Sequence, residues 1–243
     1  MRRLRVVTWN VGRLYSPRHN NRLDDADVPA VVRALGELDP DVVLLQELVD
    51  VRQLEAVRGR LRYERGAFAG ALAERCAYDR RAAVLVREEL APTFEEQSLG
   101  ATNRNAMMAR FDAGGVRVAA ISAHFDVFDR ERRAEQASSL AALAEARGER
   151  LVVAGGDFNL DPKWAAGTAN ATDIATFARL TRTFADAGAR AGATLLGLWR
   201  VDHLLIRGGA RHFARVSPRR LPLGDHFPLV LDVDLDPDVA SPI

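Results

Sequence analysis

Acids, amides and histidines recur in this sequence at the ends of short apolar runs. Asn10 follows the run 4–8, and Gln46-Glu47 follow 41–45. His124 and Asp126 follow 116–123, and Asp157 and Asn159, in Gly155-Gly156-Asp157-Phe158-Asn159, follow 151–154. Asp202 stands in Arg200-Val201-Asp202-His203, and Asp225-His226 precede the run 228–233. Glu47, Asp157 and Asp225 offer hard carboxylate oxygens, and Asn10 and Asn159 add amide oxygens. No cysteine accompanies them, which argues against a structural zinc site. Oxygen ligands with room for water suit Mg2+ or Mn2+. Such an ion polarises a phosphoryl oxygen and helps form a water nucleophile. Two histidines and an Asp-x-Asn pair would supply proton transfer, water orientation and hydrogen bonds to developing charge. No serine or cysteine sits in an obvious nucleophile setting, so direct attack by water is the natural mechanism.

These side chains need rigid supports. The runs 4–8, 41–45, 82–86, 107–111, 116–123, 151–154, 201–206 and 228–233 read as strands. Their continuous apolarity suits strands buried on both faces or deep in a sandwich. Asp112-Ala113-Gly114-Gly115 supplies a hairpin turn between two of them. Helical stretches lie at 28–38, stopped before Pro40, and at 51–61. Two more lie at 130–147, capped by Asp129 and Gly148, and at 173–187, followed by Gly188. Strands that follow one another directly imply antiparallel pairs within a mixed α/β order. No change in composition marks a linker, so 1–235 reads as one domain and 236–243, rich in Pro and Asp, as a loose tail.

Composition narrows the class further. With 243 residues, 48% of them hydrophobic, the chain is not of the disordered type. Its single cysteine, Cys76, builds no disulfide framework, so the fold rests on a buried core. No apolar run approaches the roughly 20 residues of a membrane span. The start is too briefly apolar for a signal peptide. A soluble, cytoplasmic chain, monomeric by default, is the expectation. The net charge of +1 gives no general licence for nucleic-acid binding. The basic residues are nearly all arginine, with Lys163 the only lysine, and GC-rich coding accounts for that bias.

Six blocks together carry a resemblance. They are Trp9-Asn10-Val11-Gly12, Gln46-Glu47, Ser122-Ala123-His124-Phe125-Asp126, Gly156-Asp157-Phe158-Asn159, Val201-Asp202-His203 and Gly224-Asp225-His226-Phe227-Pro228. Singly each is weak. In this order, over residues 9 to 228, they resemble the endonuclease/exonuclease/phosphatase superfamily. The resemblance implies a four-layer α-β-β-α sandwich with two packed, largely antiparallel mixed sheets, which agrees with the strand order above. It implies a phosphoesterase dependent on Mg2+ or Mn2+, cleaving a phosphodiester by in-line attack of water, with nucleic acid the leading substrate class. Glu47 would be the main metal carboxylate, with Asn10 near the metal and the scissile phosphate, and Asp225 would serve a second metal position or tune the first. Asp157 would orient or deprotonate the attacking water, and Asn159 would hold that water and a phosphate oxygen. His226 would bind the phosphate, Asp202 would orient His226, and His124 would stabilise charge or help the leaving oxygen. Whether Asp157 or His226 acts as base stays open. The chain departs from the exonuclease III branch at Gly12, where that branch carries an acid, and at His124, near which it places a tyrosine.

Other residues have blander readings. Asp126 is an accessory ligand or a loop acid. Arg133 and Gln136 orient the His124 loop or line an exposed helix face. Arg104 and Asn105 could grip phosphate, and Trp164 could stack on a substrate ring or pack its loop. His203 and His19 read as structural or exposed, and Cys76 as a small buried hydrophobe. Two rival functions use the same residues: a phosphomonoesterase or phospholipid (sphingomyelinase-like) hydrolase, and a non-catalytic protein that binds a phosphate ligand.

Overall fold

The computed structural model describes residues 2–12, 23–74, 80–100, 104–146, 148–161, 171–208, 211–218 and 224–235. His19, Cys76, Lys163, Trp164 and the segment 236–243 lie outside that set. The order is β1 (Arg2–Asn10), α1 (Val28–Leu38), β2 (Val42–Leu48), α2 (Val51–Arg65), β3 (Phe68–Leu72), β4 (Arg81–Arg87), β5 (Thr93–Ser98) and β6 (Asn105–Ala113). There follow β7 (Val116–His124), α3 (Arg130–Glu145), β8 (Leu151–Asp157), α4 (Ala171–Thr183), β9 (Ala185–Asp186), β10 (Asp202–Arg207), β11 (Arg211–Val216) and β12 (Leu229–Leu235).

The strands form two six-stranded sheets, ordered β11-β12-β1-β2-β4-β3 and β5-β6-β7-β8-β10-β9. The long apolar runs are explained by side chains alternating between two cores. Val6, Leu44, Val84, Ala120, Val153 and Leu204 belong to the core between the sheets. Their neighbours Val7, Leu45 and Leu85 pack with α1 and α2. Ile121, Ala154 and Leu205 pack with residues of α3 and α4. The result is the four-layer α-β-β-α sandwich.

Each sheet contains one parallel pair, β1 with β2 and β7 with β8; the remaining pairs are antiparallel. A parallel pair needs a crossover, supplied here by α1 and α3. The α3 start is capped as the sequence implies, with Asp129 accepting from the amides of Glu131 and Arg132. The last helix departs from expectation. It ends at Thr183, and Ala185–Asp186 pair instead with Ile206 and Leu205 of β10. Buried Phe184 anchors the turn between the two elements.

Candidate active site

Each parallel pair ends in chemistry. Asn10, at the carboxyl end of β1, is in register with Gln46 of β2, beside Glu47. His124, at the end of β7, is in register with Asp157 at the end of β8, and Asp157 is in turn opposite Asp202 on β10. Sites in such sheets lie outside the carboxyl ends of parallel strands, where side chains from neighbouring strands converge on open space. Here the two sheets stack, so two such ends face one cavity of about 160 Å³. Its lining includes Glu47, Arg80, His124, Asp157, Asn159, Asp225 and His226, with Val127 and Leu195 as its apolar part.

Local backbone features aim these groups. Glu47 has φ of 67°, unusual for a residue with a side chain. It lies where the β2–β4 register shifts between Leu45 and Leu48, and a bulge re-aims the side chain there. The Arg81 guanidinium donates to the Val49 carbonyl just beyond, fixing that bend. Below it, buried Gln46 donates to Ser122 Oγ of β7 at 3.0 Å, and Ser122 Oγ donates to the Leu45 carbonyl at 3.1 Å. This polar pin joins the sheets directly under the cavity. Gly156 has φ of 152°, and a Cβ there would stand 1.7 Å from the Ala123 carbonyl oxygen. Only glycine lets β8 approach β7 so closely beside His124 and Asp157.

Asp157 is the hub. Its Oδ2 accepts from Asn10 Nδ2 at 3.0 Å and lies 3.6 Å from His124 Nε2 and 3.8 Å from His226 Nε2. Its Oδ1 accepts from the Asn159 amide at 3.0 Å, and Asn159 Nδ2 donates to the Phe125 carbonyl at 3.1 Å. Asn10 Oδ1 is occupied by the Gly12 amide at 3.0 Å, which turns the Asn10 NH2 toward the carboxylates. His226 Nδ1 lies 2.7 Å from Asp202 Oδ2, and the His226 carbonyl accepts from Trp9 Nε1 at 3.2 Å. Asp225 Oδ1 is 3.9 Å from His226 Nε2. Glu47 Oε1 stands 4.0 Å from His124 Nε2 and 3.9 Å from Arg80 Nη1.

Burial and neighbours set the charges. Burial raises Glu47 to about 7, and Asp157 adds to the rise, while Arg80 and His226 pull it down without cancelling it. Burial likewise raises Asp157, against the attraction of His226. Burial alone would lower His226, but the charge and hydrogen bond of Asp202 outweigh it and lift the imidazole to about 10. His124 is held well below its ordinary value by burial and then by Arg104 and Arg80. Buried carboxylates beside amide groups and space for water are the donor chemistry of a hard divalent cation, which favours their deprotonated form. The residues present therefore fit a divalent-metal site. Asp157, Asp202 and His226, whose ligand atoms lie within 4.8 Å of one another, form a buried group that could hold a metal.

All eight residues singled out as catalytic or metal-binding are accounted for around this cavity. Asn159, Asp157, Glu47, His124, Asp225 and His226 line it, and Asn10 and Asp202 hold lining residues from behind. Other expectations resolve differently. Asp126 is a turn acid: its Oδ1 accepts from the amides of Phe128 and Asp129. Arg133 and Gln136 do orient the His124 loop. Gln136 Oε1 accepts from the Asp126 amide at 2.8 Å, and Arg133 donates to the carbonyls of Asp126 and Val127 while pairing with Asp173. Arg104 is buried behind His124, with Nη1 3.5 Å from the His124 carbonyl, and Asn105 donates to Glu96 on the neighbouring strand. His203 is structural, with Nε2 2.7 Å from the Leu160 carbonyl and its ring stacked near Phe158. Arg200 pairs with Asp186, leaving Asp202 to His226. Three lining residues were missed. Arg80 looked like one of many arginines, and Val127 and Leu195 gave no chemical signal. Leu195 is brought in by a tight turn: the Leu196 amide donates to the Asp225 carbonyl at 2.8 Å, and the Phe227 amide to the Thr194 carbonyl at 2.7 Å.

Comparison with known proteins agrees with this fold. The family model described as Endonuclease/Exonuclease/phosphatase family matches residues 7–226. No curated protein sequence matches the chain. Among solved structures, an endonuclease/exonuclease/phosphatase from Bacteroides vulgatus is 20% identical, with TM-score 0.75, over 97% of this chain and 100% of that one. Truncated Caenorhabditis elegans TDP2 is 18% identical, with TM-score 0.73, over 96% and 98%. D. rerio TDP2 complexed with a single-strand DNA product is 16% identical, with TM-score 0.73, over 96% and 99%. At these identities the structural likeness establishes the fold, and the sequence model establishes the lineage: this chain belongs to the endonuclease/exonuclease/phosphatase family, whose members are generally metal-dependent phosphoesterases and nucleases.

Proposed function

We propose that this protein is a Mg2+- or Mn2+-dependent phosphodiesterase that cleaves its substrate by in-line attack of water, with nucleic acid as the leading substrate class. The observation that carries this reading is the meeting of Glu47, Asp157, His124 and His226 at one small cavity, although they lie far apart in sequence. The TDP2 relative seen with a single-strand DNA product favours nucleic acid over lipid.

Glu47 would hold the ion, with Asp225 near it and Asn10 steering the Glu47 and Asp157 carboxylates. The Asp157–Asp202–His226 group is a weaker choice, because His226 Nδ1 is engaged by Asp202 and a protonated imidazole ligates nothing. A divalent ion supplies charge neutralisation at a phosphoryl oxygen. Asp157 then takes the role of base. Its carboxylate, desolvated and held by Asn10 and the Asn159 amide, orients a water and accepts its proton. His226, kept cationic by Asp202, places positive charge against a phosphoryl oxygen as negative charge develops there. Asn159 holds the phosphate oxygen on the same side. His124, neutral, stays on the far wall as a hydrogen-bond partner for the leaving oxygen.

Purified protein with Mn2+ or Mg2+ should turn over bis-nitrophenyl phosphate faster than mono-nitrophenyl phosphate and should nick plasmid DNA. Asp157→Ala and His226→Ala should each abolish that turnover with the fold intact. Wild-type rates in both variants would sink the assignment. A preference for the monoester, with no nicking at any metal concentration, would favour the phosphomonoesterase rival, and a tight phosphate complex without hydrolysis would favour the binding protein.

A further inference from the structure

Exposed apolar side chains scattered over a surface are ordinary. In this chain they are concentrated. Of the seven large apolar side chains exposed among the described residues, four lie on the two segments that supply the apolar lining of the cavity. Phe128 follows Val127, and Leu196, Leu198 and Trp199 follow Leu195. Phe128 is 89% exposed, the most of the seven. Its mount is nevertheless rigid. Asp126 Oδ1 accepts from the amides of Phe128 and Asp129, each at 2.9 Å. Gln136 Oε1 accepts from the Asp126 amide, and Arg133 Nη1 donates to the carbonyls of Asp126 and Val127 at 3.0 and 3.1 Å. Both of these α3 side chains are buried. Three side chains therefore fix a turn whose aromatic ring covers no core.

We infer that Phe128 is a substrate-binding residue that stacks on the nucleobase next to the reacting phosphate, on the His124 side of the cavity, and thereby favours a strand whose bases are not stacked in a duplex. The inference rests on the nucleic-acid reading above. Every base has a π-face, so one phenyl ring serves any sequence. A base inside a duplex is covered by its neighbours and must leave the stack first. Phe128 stands one residue, about 3.8 Å of chain, beyond Val127, so the ring is contiguous with the cavity wall. The fixed turn leaves little backbone freedom to lose when the base arrives. His124 faces the leaving oxygen in the mechanism above, so the stacked base belongs to the leaving nucleotide. A bilayer matches this surface less well. It takes a continuous apolar face with basic residues around it, whereas these apolar residues belong to two separate segments and Phe128 has Asp126 and Asp129 for neighbours in the chain.

The test uses Phe128→Ala, Phe128→Trp and, as a control, Phe213→Ala, which removes an exposed phenyl on the edge strand β11 outside the cavity lining. Binding is followed by fluorescence anisotropy with Mn2+ present. The probe is a dye-labelled oligothymidylate of about 12 residues, phosphorothioate-linked to resist cleavage. Its abasic counterpart and its duplex are the comparisons. Phe128→Ala should bind the oligothymidylate roughly 10- to 100-fold more weakly, the worth of one base–aromatic stack. The abasic strand should bind Phe128→Ala and wild type alike. Phe128→Trp should keep the wild-type affinity, and so should Phe213→Ala. Wild type should prefer the single strand to the duplex, and Phe128→Ala should lose most of that preference. Unchanged oligothymidylate affinity in Phe128→Ala would overturn the inference, and so would an equal loss on the abasic strand. Binding to phosphatidylcholine vesicles that depends on Phe128, without an effect on the oligothymidylate, would replace the base with a membrane. No readout needs turnover. A protein that hydrolyses nitrophenyl phosphates but binds no oligothymidylate would defeat this inference and spare the phosphoesterase reading. One that binds the strand through Phe128 but hydrolyses nothing would do the reverse.

Discussion

Two histidines approach the same carboxylate, one from the end of β7 and one from the segment just before β12. His124 Nε2 lies 3.6 Å from Asp157 Oδ2 and His226 Nε2 lies 3.8 Å from it, yet the two rings carry different charge. Both are buried to a similar degree, so desolvation pushes both toward the neutral form. What separates them is the company each keeps. His226 has Asp202 at 2.7 Å, and that pairing lifts it to about 10. His124 has Arg104 and Arg80 near it, and its Nδ1 is buried without a hydrogen-bond partner among the described residues, so it stays neutral. The cavity thus has a cationic wall built on an Asp–His pair, and an opposite wall where Arg80 supplies the positive charge and the imidazole does not. Groups of one type with values pushed apart by their surroundings are suited to different roles.

Breaking the His226 wall should have the largest effect. Asp202→Asn should lower His226 toward its ordinary value and cut turnover on the order of 10^3-fold. NMR titration of the His226 ring and the pH–rate profile check both parts, and an unmoved ring would dissolve the contrast. The next largest effect concerns Glu47, on the His124 side. Its folded value of about 7 lies above its ordinary 4.5, so the metal-free fold binds the proton more tightly than the unfolded chain does. Metal-free stability should therefore be highest below about pH 4.5 and fall as pH rises to about 7. Glu47→Gln should remove that fall, stabilising the metal-free protein at pH 8 by up to about 3 kcal/mol in urea unfolding, and should abolish stabilisation by Mn2+. The His226 contribution has the same sign in a higher pH window. It is complete below about 6.5 and is lost as pH rises through about 10.

His124→Gln should cost less than loss of the Asp202 partnership, about 10- to 100-fold in rate. It should leave the His226 limb of the pH profile in place. A loss as large as that of Asp202→Asn would mean that the two walls are not distinct in function. Arg104→Met should have the smallest effect. Relief from the nearby charge should raise His124, seen by NMR, with a rate change under about tenfold. An unmoved His124 value would remove Arg104 as a cause of its neutrality.

The expected strands and those left unforeseen differ in one physical respect. Every run read as a strand lies inside a sheet, and the four strands not foreseen, β3, β5, β9 and β11, are the four sheet edges. Edge strands are only half covered: β5 and β11 have no buried residue, so their sequences carry no apolar run to find. The site blocks were legible for a related reason. A carboxylate or histidine at the end of a strand buried along nearly its whole length has few structural excuses, and Glu47, His124 and Asp157 are all of that kind. Arg80 was not legible, because an arginine next to a strand is ordinary in so arginine-rich a chain.

The sequence by itself determined the lineage, the layered α/β plan and the types of group available, since these depend on local pattern and residue chemistry. Tertiary structure decided which of those groups share a field. That Asp202 charges His226 while burial and two arginines leave His124 neutral, that Asn10 turns its NH2 toward the carboxylates, and that Arg80 stands beside Glu47 all follow from sheets packed face to face. Coulomb energies inside a protein depend on separation and burial, and neither quantity exists until distant segments meet.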